Sequence, residues 1–297
     1  AYGMKFTLGL GYHNVAMMNR AFDIRGQVTN AAIEEESNEE SSLGAYTISA
    51  GYQLQKEISV GLSFHLYSGG NTYSSDLYID YASEFFTDQF IIDDSYSGIG
   101  ATLGVLFAPT DYLRTGLSFT TPKFIDVDET LEILTTNKEY NYNFQYQSPP
   151  EIRLGQSVSI ANLLVAGNVT WKDWSLARFR WDNNPSVEFE INNTLREDYA
   201  SVLEYAAGVE FLVPVVNLKL RGGVHYIPYQ QKSGPAEDQV VYSAGISVVL
   251  AQQFKIDAAY NRISWTENYS QMYDFENLDG KAEIVNGIGT LNLSYRF

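Results

Sequence analysis

Leu291-Asn292-Leu293-Ser294-Tyr295-Arg296-Phe297 decides how the chain is read. Leu291, Leu293, Tyr295 and Phe297 take every second position, and Asn292, Ser294 and Arg296 take the positions between. Successive side chains of a strand point to opposite faces, so this segment forms a strand with one apolar and one polar face. The same period recurs along the chain. Phe6, Leu8, Leu10 and Tyr12 alternate with Lys5, Thr7, Gly9 and Gly11. Ile58, Val60, Leu62, Phe64 and Leu66 alternate with Ser59, Gly61, Ser63 and His65. Leu218, Leu220, Val224 and Tyr226 oppose Lys219, Arg221, Gly223 and His225, while helical periodicity is almost absent.

Alternation alone also fits a water-soluble sandwich. The connections separate the two. Short turns are expected near 55–57, 109–111, 161–162, 214–216 and 251–252, and longer links over roughly 14–43, 68–97, 122–149, 174–201, 229–239 and 265–285. Short turns at one rim and long loops at the other is the layout of outer-membrane barrels. The count is twelve strands, each of about ten residues, and roughly 9–11 tilted residues cross a bilayer. The fold class expected is therefore all-β: an antiparallel, up-and-down transmembrane β-barrel, one domain over 1–297, in a bacterial outer membrane. No apolar run approaches the roughly 20 residues of a spanning helix.

Composition fits this layout. The chain has 22 Tyr and 16 Phe for interfacial girdles, and 23 Gly, many inside strands. Trp171, Trp174, Trp181 and Trp265 all fall at the long-loop ends of their strands, the level at which tryptophan favours a membrane interface.

A net charge of −17 excludes nucleic acid as a partner, because phosphate binding needs a basic face. Much of the acid is local, in Glu34 to Glu36, Glu39 and Glu40, and again in Asp76, Asp80, Glu84, Asp88, Asp93 and Asp94. These read as solvated loops, and their spacing matches no calcium loop. There is no Cys, and no His/Asp/Glu cluster has metal-ligand spacing. His13, His65 and His225 stand in no nucleophile motif, so neither catalysis nor a cofactor is expected.

Several segments resemble the FadL/TodX family of outer-membrane transporters for long-chain fatty acids and other hydrophobic compounds. Thr170-Trp171-Lys172-Asp173-Trp174-Ser175 is similar to a family strand end, and Ser148-Pro149-Pro150-Glu151-Ile152-Arg153-Leu154-Gly155 to its proline-led strand. Tyr205 to Phe211, Leu220 to Pro228, Tyr242 to Ile246 and Leu291 to Phe297 continue the resemblance, which is densest from about 100 to 297. It implies a fourteen-stranded barrel that takes up hydrophobic molecules by passive diffusion. The family's N-terminal plug motif is absent, and the first strand here resembles about the third of the family. The resemblance thus implies a chain lacking the plug and first hairpin; a natural twelve-stranded barrel is the alternative. Family members release substrate sideways through a kinked strand, and Gly9 and Gly11 lie on the strand resembling it. Small residues that relieve crowding are the other reading of these glycines.

The alternation also assigns facing. If the Leu-, Val-, Phe- and Tyr-rich faces meet lipid, the lumen collects Lys5, Arg114, Arg153, Lys172, Lys219, Arg221, Lys255 and Arg296, against the acids Glu210 and Asp257. Arginine grips a carboxylate with two parallel hydrogen bonds. Arg221 is the first candidate contact for such a ligand, then Arg114 and Arg153, with Lys219 beside them. Mutual neutralisation of these lumen charges is the competing reading. Leu106, Leu164 and Leu212 fall on the same inward parity and supply apolar patches. The expected function is a channel for hydrophobic molecules, long-chain fatty acids first. A porin for hydrophilic solutes and an adhesion barrel with acidic binding loops are the alternatives. The expected partners are outer-membrane lipid and lipopolysaccharide, the apolar substrate, and the barrel-assembly machinery through the strand ending in Phe297.

Overall fold

The computed structural model describes residues 6–28, 31–81, 84–234, 236–250, 254–268 and 281–295. Fifteen strands form one antiparallel sheet. In chain order they are β1 (Phe6–Val28), β2 (Ala31–Gln53), β3 (Ile58–Tyr81), β4 (Glu84–Phe107), β5 (Leu113–Thr120), β6 (Phe124–Ile133), β7 (Lys138–Gln147) and β8 (Glu151–Ile160). There follow β9 (Leu163–Asp173), β10 (Arg178–Arg180), the helix α1 (Pro185–Asp198), β11 (Ser201–Val213), β12 (Leu218–Ile227), β13 (Gln239–Leu250), β14 (Phe254–Asn268) and β15 (Lys281–Tyr295). The wall runs β1-β2-β3-β4-β5-β8-β9-β11-β12-β13-β14-β15, twelve strands up and down, as the alternation implies.

Facing follows the period of two. Leu8, Leu10, Phe64, Leu103, Leu154, Phe211, Leu291 and Leu293 all stand on the outer face and are exposed, Leu10 to 83%. The inner face holds groups such as Thr170, Glu204 and Ser247, which are buried. An apolar outside around a polar inside inverts a soluble protein and belongs to a barrel in lipid. Every backbone N–H and C=O in hydrocarbon must be paired, and within the sheet neighbouring strands supply those partners; among the described residues β1 and β15 are the two edges of the wall.

Where long loops are expected, the ladder instead continues. β1 to β4 are 23 or 24 residues long, so 14–43 and 68–97 are paired strand for most of their length. Above the membrane both faces meet water, the apolar period fades, and a continuous hairpin reads as a loop. The link 122–149 is the hairpin β6–β7, and 174–201 holds a 3₁₀ turn (Trp174–Leu176), β10 and α1. Lys5, the turn at 251–252, much of the link 265–285, and Arg296 and Phe297 lie outside the described residues.

β5 and β6 are two halves of one strand, parted by Thr121-Pro122-Lys123; β7 and β8 are parted by Ser148-Pro149-Pro150. The breaks face each other in one unbroken register, with Thr120 opposite Glu151 below and Phe124 opposite Gln147 above. Proline gives the ladder no N–H. Backbone and side-chain oxygens close part of the gap. Ser148 N–H donates to the Lys123 carbonyl at 3.0 Å, and Lys123 N–H donates to Ser148 Oγ at 3.0 Å. Ala101 N–H donates to Thr121 Oγ1 at 3.0 Å. The side-chain parity changes across the breaks: even positions face inward on β5, whereas Ile125 and Val127 are buried on β6.

Ser148 is buried, so Ser148→Ala strands the Lys123 N–H without a partner. Unfolding in detergent micelles with urea is expected to show a loss of about 1–3 kcal/mol, the cost of a buried unsatisfied donor.

Candidate functional site

Gly61 with Gly104, Gly116 with Gly155, and Gly208 with Gly223 stand directly opposite one another on neighbouring strands of the inner face. They help line a cavity of about 850 Å³ reached by eight strands, from β3 round to β13. One cavity touching eight strands of a single sheet requires the sheet to curl round it. At Gly116 an added Cβ would find nothing closer than the Val105 carbonyl at 4.0 Å, and at Gly104 the Leu117 carbonyl at 3.8 Å. The backbone therefore does not require glycine at these two positions; what glycine leaves is room in the bore.

Leu106, Arg114 and Arg153 line this cavity, as their parity implies. Arg153 donates from Nε to Thr170 Oγ1 at 3.0 Å, and its side chain remains half-exposed to the cavity. Among the described residues Arg114 has neither an acidic partner nor a side-chain hydrogen bond. Leu164 and Leu212 sit outside the cavity lining, toward the short-turn rim, opposite Glu210 and Lys219 respectively.

Arg221 and Lys219 belong to a different arrangement. Lys219 Nζ meets Glu210 at 2.6 Å, Arg221 meets Glu210 at 2.7 Å and Asp257 at 3.0 Å, and Lys255 meets Asp257 at 2.7 Å. This ladder climbs the wall from β11 across β12 to β14 near the short turns. Each acid is held by two cations, so Arg221, the first sequence candidate, is committed to protein carboxylates here.

A second charged layer closes the other end of the cavity. Glu204 is almost wholly buried and accepts Lys172 Nζ at 2.6 Å, with His225 Nε2 at 3.3 Å. Glu151 is approached by Lys123, Arg153 and Lys172 at 3.8, 3.8 and 3.9 Å. Glu210 and Asp257 are the lumen acids expected from parity, and Glu151 and Glu204 join them in the structure. Both share the parity of residues already assigned inward, Arg153 on β8 and Glu210 on β11, so extending the pattern by two or six residues finds them. Lys123 lies in a proline break, where there is no alternation to read.

Beyond this layer the lumen turns apolar. Ala45, Tyr67, Ile125 and Val127 form a buried cluster, with Val15, Leu43, Tyr96, Phe144 and Tyr146 packed against it. Phe179 of β10 packs at a tilt against Tyr146 and Phe144, with ring centres 5.2 and 5.8 Å away, and Trp181 lies 5.3 Å from Phe144. α1 pins this lid: Asn192 Nδ2 donates to the Phe179 carbonyl at 2.7 Å while its Oδ1 accepts the Phe179 N–H at 2.8 Å. Trp181 thus packs into the mouth rather than standing in an interfacial girdle. Val15 occupies the one register shift of β1, between Asn14 and Ala16. Gly9 and Gly11 pair regularly with Ser49 and Thr47, and the register shift falls further along the strand, at Val15, which packs against the cluster.

The acidic runs border the long hairpins above. Asp94 accepts Asn71 Nδ2 at 3.2 Å and the Tyr96 hydroxyl at 2.9 Å. Burial first, and then Asp94 opposite it, raises the Glu129 carboxyl above its ordinary range. Among the described residues no group of three His, Cys, Asp or Glu is placed to hold a metal ion. His65 bridges Thr47 Oγ1 at 2.9 Å and Thr102 Oγ1 at 3.0 Å.

Residues 3–297 match a family described as outer membrane protein transport protein (OMPP1/FadL/TodX). No curated protein matches the sequence. Solved structures share the fold at low identity. A Pseudomonas aeruginosa FadL homologue superposes with a TM-score of 0.59 at 14% identity, covering 89% of this chain and 74% of its own. The Ralstonia pickettii toluene transporter TbuX gives 0.57 at 13%, with 92% and 79% covered. The P. putida toluene transporter TodX gives 0.57 at 12%, with 98% and 88% covered.

Since a Cβ at Gly116 meets no backbone, Gly116→Leu is expected to assemble normally yet fill part of the cavity. Binding of a fluorescent apolar probe by the purified protein should fall while its heat-modifiable mobility on gels stays that of wild type. Unchanged probe binding would remove the cavity from the ligand path.

Proposed function

Because the chain belongs to the OMPP1/FadL/TodX family of outer-membrane transporters of hydrophobic compounds, we propose that it admits long-chain fatty acids and releases them by passive diffusion through the barrel. The observation that carries this reading is a pair of arginines in a cavity otherwise lined largely by glycine, small and aliphatic residues. Arg114 has no acidic partner among the described residues, and Arg153 keeps its guanidinium open to the same space. An alkyl chain suits the unobstructed bore, and a guanidinium suits the carboxylate at its end.

The order of the layers supports a path. The apolar mouth around Tyr67, Phe144, Tyr146 and Phe179 extracts a hydrophobic molecule from water through area burial alone. The glycine cavity then holds the chain, with its headgroup at Arg114 or Arg153. The ladder of Lys219, Glu210, Arg221, Asp257 and Lys255 rims the way toward the short-turn side, which in outer-membrane barrels is periplasmic. A water-filled porin would not place an aromatic cluster across its mouth.

Transport of neutral aromatic hydrocarbons is the second reading, favoured by the aromatic mouth and by the toluene transporters that share the fold. The two readings differ in whether the arginines matter. Arg114→Gln with Arg153→Gln is expected to weaken oleate binding about tenfold or more, each lost charged hydrogen bond being worth about 1.5–3 kcal/mol. Methyl oleate should bind as before. Isothermal titration in non-ionic detergent checks both; equal affinity of the wild type for the acid and its ester would favour the neutral reading.

A further inference from the structure

Among the described ion-paired carboxylates of the lumen, Glu151 is the one held only at long range. Lys123, Arg153 and Lys172 converge on it from three sides, at 3.8, 3.8 and 3.9 Å, and none reaches hydrogen-bonding distance. Elsewhere in the bore the acids are gripped tightly, with Glu204 at 2.6 Å from Lys172, Glu210 at 2.6 and 2.7 Å, and Asp257 at 2.7 and 3.0 Å. The site has three cations and one loosely held anion. Lys172 has a closer partner in Glu204. Lys123 has no partner nearer than Glu151 among the described residues.

Position gives this arrangement its meaning. Glu151 lies between the apolar mouth and the glycine cavity, since Arg153, two residues on, lines the cavity. It opens β8 directly after the Ser148-Pro149-Pro150 break, and Lys123 closes the facing break, so both groups sit where the ladder is interrupted. Lys123, Arg153 and Lys172 stand against Glu151 and Glu204, so the layer holds one more basic than acidic group before His225 is counted. A hydrophobic molecule passing from mouth to cavity crosses this layer. A neutral one gains nothing from it. One ending in a carboxylate offers the cations what Glu151 offers them, with the freedom to approach to hydrogen-bonding distance.

We propose that Glu151 is a built-in stand-in for the carboxylate of the ligand, displaced from Lys123 and Arg153 when an anionic hydrophobic molecule crosses, and so a residue that sets discrimination between acids and neutral compounds. This rests on the carboxylate reading above. Glu151 touches no apolar chain in this role; it competes for the cations that receive the headgroup. Its presence keeps the layer from trapping the anion, and its loose contacts keep it displaceable.

Oleate and methyl oleate binding, titrated on the full chain in non-ionic detergent, separates the outcomes. Glu151→Gln removes the competitor and is expected to tighten oleate about tenfold while leaving methyl oleate unchanged. Glu151→Asp restores the charge and should return oleate toward the wild-type value. Lys123→Met removes a receiving cation and should weaken oleate alone, and this variant decides the matter should Glu151→Gln not assemble. Oleate affinity unchanged or weakened in Glu151→Gln, or unchanged in Lys123→Met, overturns the proposal. A wild type that binds oleate no better than its ester overturns the carboxylate reading itself, a result visible before any variant is made.

Discussion

Every other feature depends on one requirement, that no backbone N–H or C=O be left unpaired in hydrocarbon. Strands that pair only with their neighbours meet it, and such strands alternate their side chains between two environments. Lipid takes one face, so the sequence spends Leu, Phe and Tyr there. The opposite face is then free to be small, polar or charged, and chemistry is confined to it. The proline breaks at Pro122 and at Pro149 and Pro150 are where this requirement is relaxed, and there Ser148 and Thr121 supply the missing hydrogen-bond partners.

The inner face is zoned along the axis. An aromatic and aliphatic mouth, a buried charged layer, a glycine-walled cavity and a satisfied ion ladder follow one another. Zoning matters because the two charged layers are unlike. The ladder of Glu210, Arg221 and Asp257 is closely hydrogen-bonded, and opening it would leave a carboxylate or a guanidinium without its partner. The layer at Glu151 is held at longer range. The ligand contacts proposed above are accordingly Arg114, Arg153 and Lys123, while Arg221 is held by Glu210 and Asp257.

Much of this was legible from period two alone. The alternation at Leu291 to Tyr295 and at Ile58 to Leu66 identifies the wall strands, and Leu106, Arg114 and Arg153, which share the inward parity, line one cavity. Four things were not legible. Strands above the membrane lose the apolar face that marks a strand, so β1 to β4 read as hairpins with long loops. Parity tells which face a residue is on but not which neighbour it meets, so Arg221 looked available while Glu210 and Asp257 hold it. At a break such as Thr121 to Lys123 there is no parity to count, which hid Lys123. The shift at Val15 was also invisible, since nothing in the residues of β1 marks it.

The most direct measurement is a crystal structure of the protein soaked with a long-chain fatty acid brominated along its chain, with the bromine located by anomalous scattering. Passage of a fatty acid through the bore predicts bromine within the glycine-walled cavity and the carboxylate against Arg114 or Arg153. Bromine found only on the outer, lipid-facing wall, with the cavity holding water alone, would contradict it.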